Sequence, residues 1–121
     1  DGIIYKLNHN LTGLEWTNYV GDADADAAYS IAIASDNSTY ITGGTRSTNF
    51  PTTTGAFDVT YNGANDGFVM HISEDGSTML QSTFYGSNAY DQSYFVELDN
   101  AGDVFLFGQT SAPTGNLISN A

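Results

Sequence analysis

The chain has 121 residues, a length suited to one domain, with 2 Lys and Arg against 14 Asp and Glu and a formal charge of −12. A surface this negative repels phosphate backbones, and two cations cannot supply the counterion release behind nucleic-acid affinity, so nucleic acid is excluded as a partner. Hydrophobic residues at 40% give material for a packed core, the apolar runs fall far short of the roughly 20 residues of a membrane-spanning helix, and zero Cys rules out disulfides and zinc–thiolate sites.

In chain order, β-rich runs are predicted at about Gly2 to Leu7, Leu14 to Val20, Tyr29 to Ser35 and Thr39 to Thr45. Four more follow at about Gly67 to Ser73, Met79 to Tyr85, Tyr94 to Asp99 and Asp103 to Thr110. Turn formers separate them: Glu74-Asp75-Gly76-Ser77 and Asn100-Ala101-Gly102-Asp103 put Gly where a positive φ is needed. No window carries the i, i+3, i+4, i+7 spacing of an amphipathic helix.

The two sets of runs are copies. At an offset of 65 residues Asp1-Gly2-Ile3-Ile4-Tyr5-Lys6-Leu7 meets Asp66-Gly67-Phe68-Val69-Met70-His71-Ile72, and the register continues without a gap. Leu14 meets Met79, Tyr19 meets Phe84, Gly21 meets Gly86, Asp26 meets Asp91, Tyr29 meets Tyr94, and Gly43 and Thr45 meet Gly108 and Thr110. The chain therefore divides into repeat 1 with its linker, residues 1–65, and repeat 2 with an incomplete linker, residues 66–121. The third run alternates, with Val96 and Leu98 on one side and Glu97 and Asp99 on the other, as a half-buried strand does. The fourth does not: Val104-Phe105-Leu106-Phe107 and Tyr40-Ile41 are apolar on both faces and must be covered on both. The expectation is an all-β fold of two four-stranded antiparallel sheets stacked face to face, in the manner of β-propeller blades within a larger propeller.

The strings DGIIYKLN and DGFVMHIS, the element Asp26-Ala27-Ala28-Tyr29-Ser30-Ile31-Ala32-Ile33, the run Thr39-Tyr40-Ile41-Thr42-Gly43-Gly44-Thr45 and the segment from Asn49-Phe50-Pro51 to Gly55-Ala56-Phe57 resemble the SBBP-type bacterial β-propeller repeat. The resemblance covers almost the whole chain as nearly two units. Repeat 2 departs from it, with Ser111-Ala112-Pro113-Thr114-Gly115-Asn116 in place of the Phe-Pro segment. It implies a noncatalytic scaffold or interaction segment of a secreted or cell-surface bacterial protein such as an adhesin, located outside the cell. Its partners would be neighbouring blades of the same protein or of identical subunits, with a protein or glycan ligand. The alternative is a lectin or propeller enzyme whose channel site is shared among blades. The family supplies no catalytic residues, and no signal peptide stands at Asp1.

Candidate sites are sparse. Asp22, Asp24 and Asp26 alternate like the opening of a calcium loop, but Ala27 stands where an EF-hand needs Gly and Ile33 where it needs the bidentate Glu. Three crowded carboxylates would still attract a hard divalent cation. Calcium is thus the one cofactor the residues suggest, against a solvated acidic turn in which Asp26 and Asp91 accept backbone N–H bonds. His9 and His71 lack metal-ligand spacing and are expected to be structural or surface residues. Tyr61, Tyr85, Tyr90, Tyr94 and Trp16 would form a sugar-stacking platform only if they converged; recurrence at Tyr29 and Tyr94 points to packing instead. Gly43-Gly44 marks a close backbone approach rather than a phosphate cradle, since neither a helix nor a Lys accompanies it.

Overall fold

The computed structural model describes residues 1–113, so Thr114-Gly115-Asn116 of the divergent linker lies outside the described residues. Eight strands run β1 (Gly2–Leu7), β2 (Leu14–Val20), β3 (Asp26–Ile33), β4 (Thr39–Thr45), β5 (Asp66–Ile72), β6 (Met79–Tyr85), β7 (Asp91–Leu98) and β8 (Val104–Thr110). Every pairing between them is antiparallel, and no helix occurs among the described residues. Six strands begin within about a residue of expectation. β3 and β7 share the same error, starting three residues earlier than Tyr29 and Tyr94, because each of those tyrosines is the extra residue of a β-bulge and hides the strand that precedes it.

The 65-residue register is visible in the backbone. β2, β3 and β4 map onto β6, β7 and β8 end to end. The bulges recur between Lys6/Leu7 and His71/Ile72, and between Ala28/Ser30 and Ser93/Phe95. Left-handed turn residues recur as well: Leu11 at φ 61° matches Gly76 at 72°, and Asn37 at 65° matches Gly102 at 90°.

The sheets themselves fall half a repeat out of phase with that register. Instead of two four-stranded sheets, β3-β4-β5-β6 forms one, taking two strands from each repeat, with hairpins β1-β2 and β7-β8 as two-stranded sheets. Short turns join strands within hairpins, whereas the long connection 46–65 returns the chain alongside β4, where β5 pairs over the full length from Thr39↔Ile72 to Thr45↔Asp66. Between β2 and β3 the segment from Gly21 to Ala25 carries the chain out of one sheet and into another.

On one face of the central sheet lie Ile41, Phe68, Met70, Ile72 and Phe84, packed against Ile4 and Val20 from the β1-β2 hairpin and Phe50 from the long connection. The Phe50 ring sits 4.5 Å from Phe68 and 5.7 Å from Phe84. Hairpin β7-β8 stacks on the other face, with Val96 N–H donating to Ser30 Oγ at 3.4 Å. Gly67 and Gly44 allow this approach: a Cβ at Gly67 would meet Ser93, and one at Gly44 would meet Asn65 and Gln92. The same connection seals the outer edge of β6, since Thr53 N–H donates to the Ser82 carbonyl and Phe84 N–H to the Asp58 carbonyl, both at 3.0 Å. The described residues include no helix long and apolar enough to cross a membrane.

Candidate interaction surfaces

Both ends of this three-sheet stack present apolar side chains to solvent. On hairpin β1-β2, Ile3 and Tyr19 pair across the strands, and with Tyr5 and Leu7 they line the face turned away from the central sheet. On hairpin β7-β8, Phe95 pairs with Phe107, their rings 6.0 Å apart, and Phe105 lies on the same outer face. The repeat register sets these exposed positions beside buried counterparts. Ile3, Tyr5 and Tyr19 are 52%, 57% and 74% exposed, whereas their counterparts Phe68, Met70 and Phe84 are 0%, 6% and 1% exposed. Ile31, 54% exposed on β3, corresponds to Val96 at 4%. Sequence chemistry that builds a core in the middle of the molecule is left uncovered at its ends.

Six strands end a sheet, and of these β6 alone is sealed by the long connection; β1 and β8 are among the open ones. β1 and β8 each have a single partner, β2 and β7, so one row of backbone N–H and C=O groups on each is unpaired within the sheets. Grooves lie beside them. One of about 320 Å³ runs between β1 and β3, lined by Ile4, Trp16, Ile31, Ile33 and Glu74. Another, of about 360 Å³, crosses the uncovered face of β5 and β6 at Val69, His71 and Thr83 and reaches Val104 at the start of β8. A third, about 250 Å³, separates Tyr85, Asp91 and Ser93 from Leu106 and Gly108; it corresponds to the space over Gly43 that the Phe68 ring occupies in the central sheet.

The sequence-predicted sites resolve mostly into structure. Among Asp22, Asp24 and Asp26, only Asp26 points into the fold: its carboxylate accepts from Asp22 N–H at 3.0 Å, from Ser47 Oγ–H at 2.9 Å and from Thr45 Oγ1–H. Asp22 and Asp24 are exposed, and among the described residues no group of three His, Asp or Glu side chains is arranged to hold a metal. His9 is exposed; His71 stacks on Tyr40 at 3.9 Å with Nε2 2.7 Å from Ser38 Oγ, and burial lowers its pKa. The five aromatics do not form one platform. Trp16 donates from Nε1 to the Glu74 carbonyl and packs over Gly76, Tyr61 sets its edge on Phe84, and Tyr85 meets Phe57. Tyr94 lies 5.6 Å from its repeat counterpart Tyr29, and Gln92 links the two hydroxyls, donating to Tyr29 and accepting from Tyr94 at 2.8 Å each. Burial, then the neighbouring Tyr90 and Tyr94, raise the Tyr29 pKa. At Gly43 a Cβ would fall inside the Ala27 carbonyl, which confirms the close backbone approach.

Sequence reasoning did not single out the buried carboxylate Asp66. It is fully buried, its Oδ2 accepts from Asn62 N–H at 2.7 Å, and its Oδ1 has no hydrogen-bond partner. Burial pushes its pKa up to about 6, opposed by the Asn62 N–H bond and reinforced by the charges of Asp91 and Asp58. Asp91 is buried nearby with Oδ2 held by Ser87 N–H and Oγ–H and Oδ1 unpartnered. The signal was present in the repeat, because Asp1 and Asp26 occupy the corresponding positions and both approach Gly21.

No protein-family model matches the chain, and no curated protein matches it significantly.

Proposed function

We propose that the chain is a noncatalytic stretch of β-propeller, a scaffold or interaction segment of a secreted or cell-surface bacterial protein, in line with its resemblance to the SBBP-type repeat. In this assignment β3-β4-β5-β6 is one whole blade, β1-β2 the outer half of the blade before it and β7-β8 the inner half of the blade after it. The observation that carries it is the contrast in burial at equivalent positions: Phe68, Met70 and Phe84 are core where a neighbour covers them, and Ile3, Tyr5 and Tyr19 are exposed where none does. Propellers resolve this by radial repetition, each blade covering the next. The conserved geometry of the repeat is spent on turns, bulges and packing, and the polar residues that recur, Asp26 and Asp91 among them, hold backbone groups.

The test is a gene encoding two or three copies of the chain in tandem, joined by flexible linkers. A propeller segment closes on itself: small-angle scattering gives a compact particle, and binding of an apolar dye per repeat falls well below that of the single chain. Beads on a string, with dye binding per copy unchanged, would overturn the assignment.

A further inference from the structure

We propose that a second copy of this chain completes the half blades, β1 of one copy adding to the free edge of β8 of the other in a register fixed by the internal repeat. The inference rests on the propeller assignment above and adds to it a partner and a pairing. Moving the observed β4–β5 ladder forward by 65 residues places β8 opposite β1 of the partner copy. Thr42↔Val69 becomes Phe107 opposite Ile4, Ile41↔Met70 becomes Leu106 opposite Tyr5, and Tyr40↔His71 becomes Phe105 opposite Lys6. Both edges concerned are open, and the repeat register is what singles them out from the open edges of β2, β3 and β7. The outer edge of the central sheet at β6 is already sealed by residues 53–58, so strand addition there is closed while β8 and β1 stay available for it.

Three further features agree without being needed to set the register. The partner's Ile3, Tyr5 and Leu7 would descend onto the uncovered face of β5 and β6, where the groove at Val69, His71 and Thr83 lies, as Phe68 and Met70 descend onto Ile4 and Val20 within the chain. The space over Gly108 would receive Ile3 as the space over Gly43 receives Phe68. In the opposite direction, Phe95, Phe105 and Phe107 would lie over the exposed Ile31 and Ile33 beside the groove along β1. Each contact has a precedent inside the molecule. Opposite Lys6, Phe105 stands where Tyr40 stacks on His71, so a cation faces a ring.

The contact is heterologous, with one end of the stack meeting the other, and heterologous contacts form rings when the rotation closes. Each copy carries the strands of two blades, so a ring of about 4 to 8 blades corresponds to roughly two to four copies. With −12 charges on every copy, self-repulsion opposes assembly, and added salt strengthens it by screening.

The chain lacks Cys, so a pair of introduced ones reports on register directly. Phe105→Cys and Lys6→Cys are made on separate chains, purified and mixed under mild oxidation. Opposed residues of an antiparallel pair lie within disulfide reach, so covalent heterodimer is expected to form roughly tenfold faster than with the out-of-register pair Phe107→Cys and Lys6→Cys. Both introduced positions are solvent-accessible, and circular dichroism checks that each variant keeps the strands. Light scattering on the unmodified chain should show a mass of two to four copies, rising in population with sodium chloride. A chain that stays monomeric at high concentration and salt, or equal cross-linking by both pairs, overturns the second-copy pairing. If the tandem gene closes while the single chain stays monomeric, the propeller assignment stands and the copy-to-copy pairing falls.

Discussion

Asp66 offers the sharpest test of the buried interior. Its carboxyl titrates at about 6 in the folded chain against an ordinary 3.8, because burial penalises the charge and only the Asn62 N–H bond answers it. The folded state therefore keeps a proton between pH 4 and 6 that the unfolded state releases, and stability falls as pH rises through that window. The stabilising contribution is complete below about 4 and gone above about 6. Two pH units correspond to nearly 3 kcal/mol, or about 2 kcal/mol after screening of the neighbouring Asp91 and Asp58 charges is allowed for. Asp66→Asn removes the charge and keeps an oxygen for Asn62. Urea unfolding followed by the fluorescence of Trp16, the only tryptophan, measures both proteins from pH 4 to 8 at dilute concentration. The variant is expected to match the parent near pH 4 and to exceed it by about 2 kcal/mol at pH 7.5, less the cost of one unpartnered amide N–H. An unchanged slope between pH 4 and 6 would refute the assignment of this proton to Asp66.

Leu11 holds φ 61° on an exposed turn whose repeat counterpart is Gly76, so Leu11→Gly should raise stability by about 0.5–1 kcal/mol, read as a shift in urea midpoint. Gly43→Ala forces a methyl into the Ala27 carbonyl and should cost about 3 kcal/mol or abolish folding, whereas Gly55→Ala, in open space but at φ 81°, should cost about 1 kcal/mol in the same assay. Phe84→Ala should lose about 3–5 kcal/mol by thermal or urea melting of the monomer, and Tyr19→Ala at the equivalent position less than about 0.5 kcal/mol; similar losses would contradict the difference in burial.

Much of the architecture is legible in the residues because strand chemistry is local. Alternation, bulky aliphatics and turn glycines mark eight strands, and a matching offset marks two copies of one backbone path, down to bulges and left-handed turn residues that recur 65 positions apart. The double-sided apolar character of Tyr40-Ile41 correctly announced a strand covered on both faces. The same character in Val104-Phe105-Leu106-Phe107 did not end in burial, since β8 is exposed along its length except at Leu106.

That difference arises from tertiary context. Identical local preferences permit β4 to pair with β3 and with β5, and only the return of the long connection past Phe50 selects the sheet that joins the two repeats. Burial of Asp66, dispersal of the aromatics and the closure of the β6 edge all follow from that choice. They depend on contacts between residues far apart in the chain, which local propensity does not encode. A repeat written along the polypeptide thus specifies strands and their faces, while long-range packing decides which faces meet one another and which stay exposed.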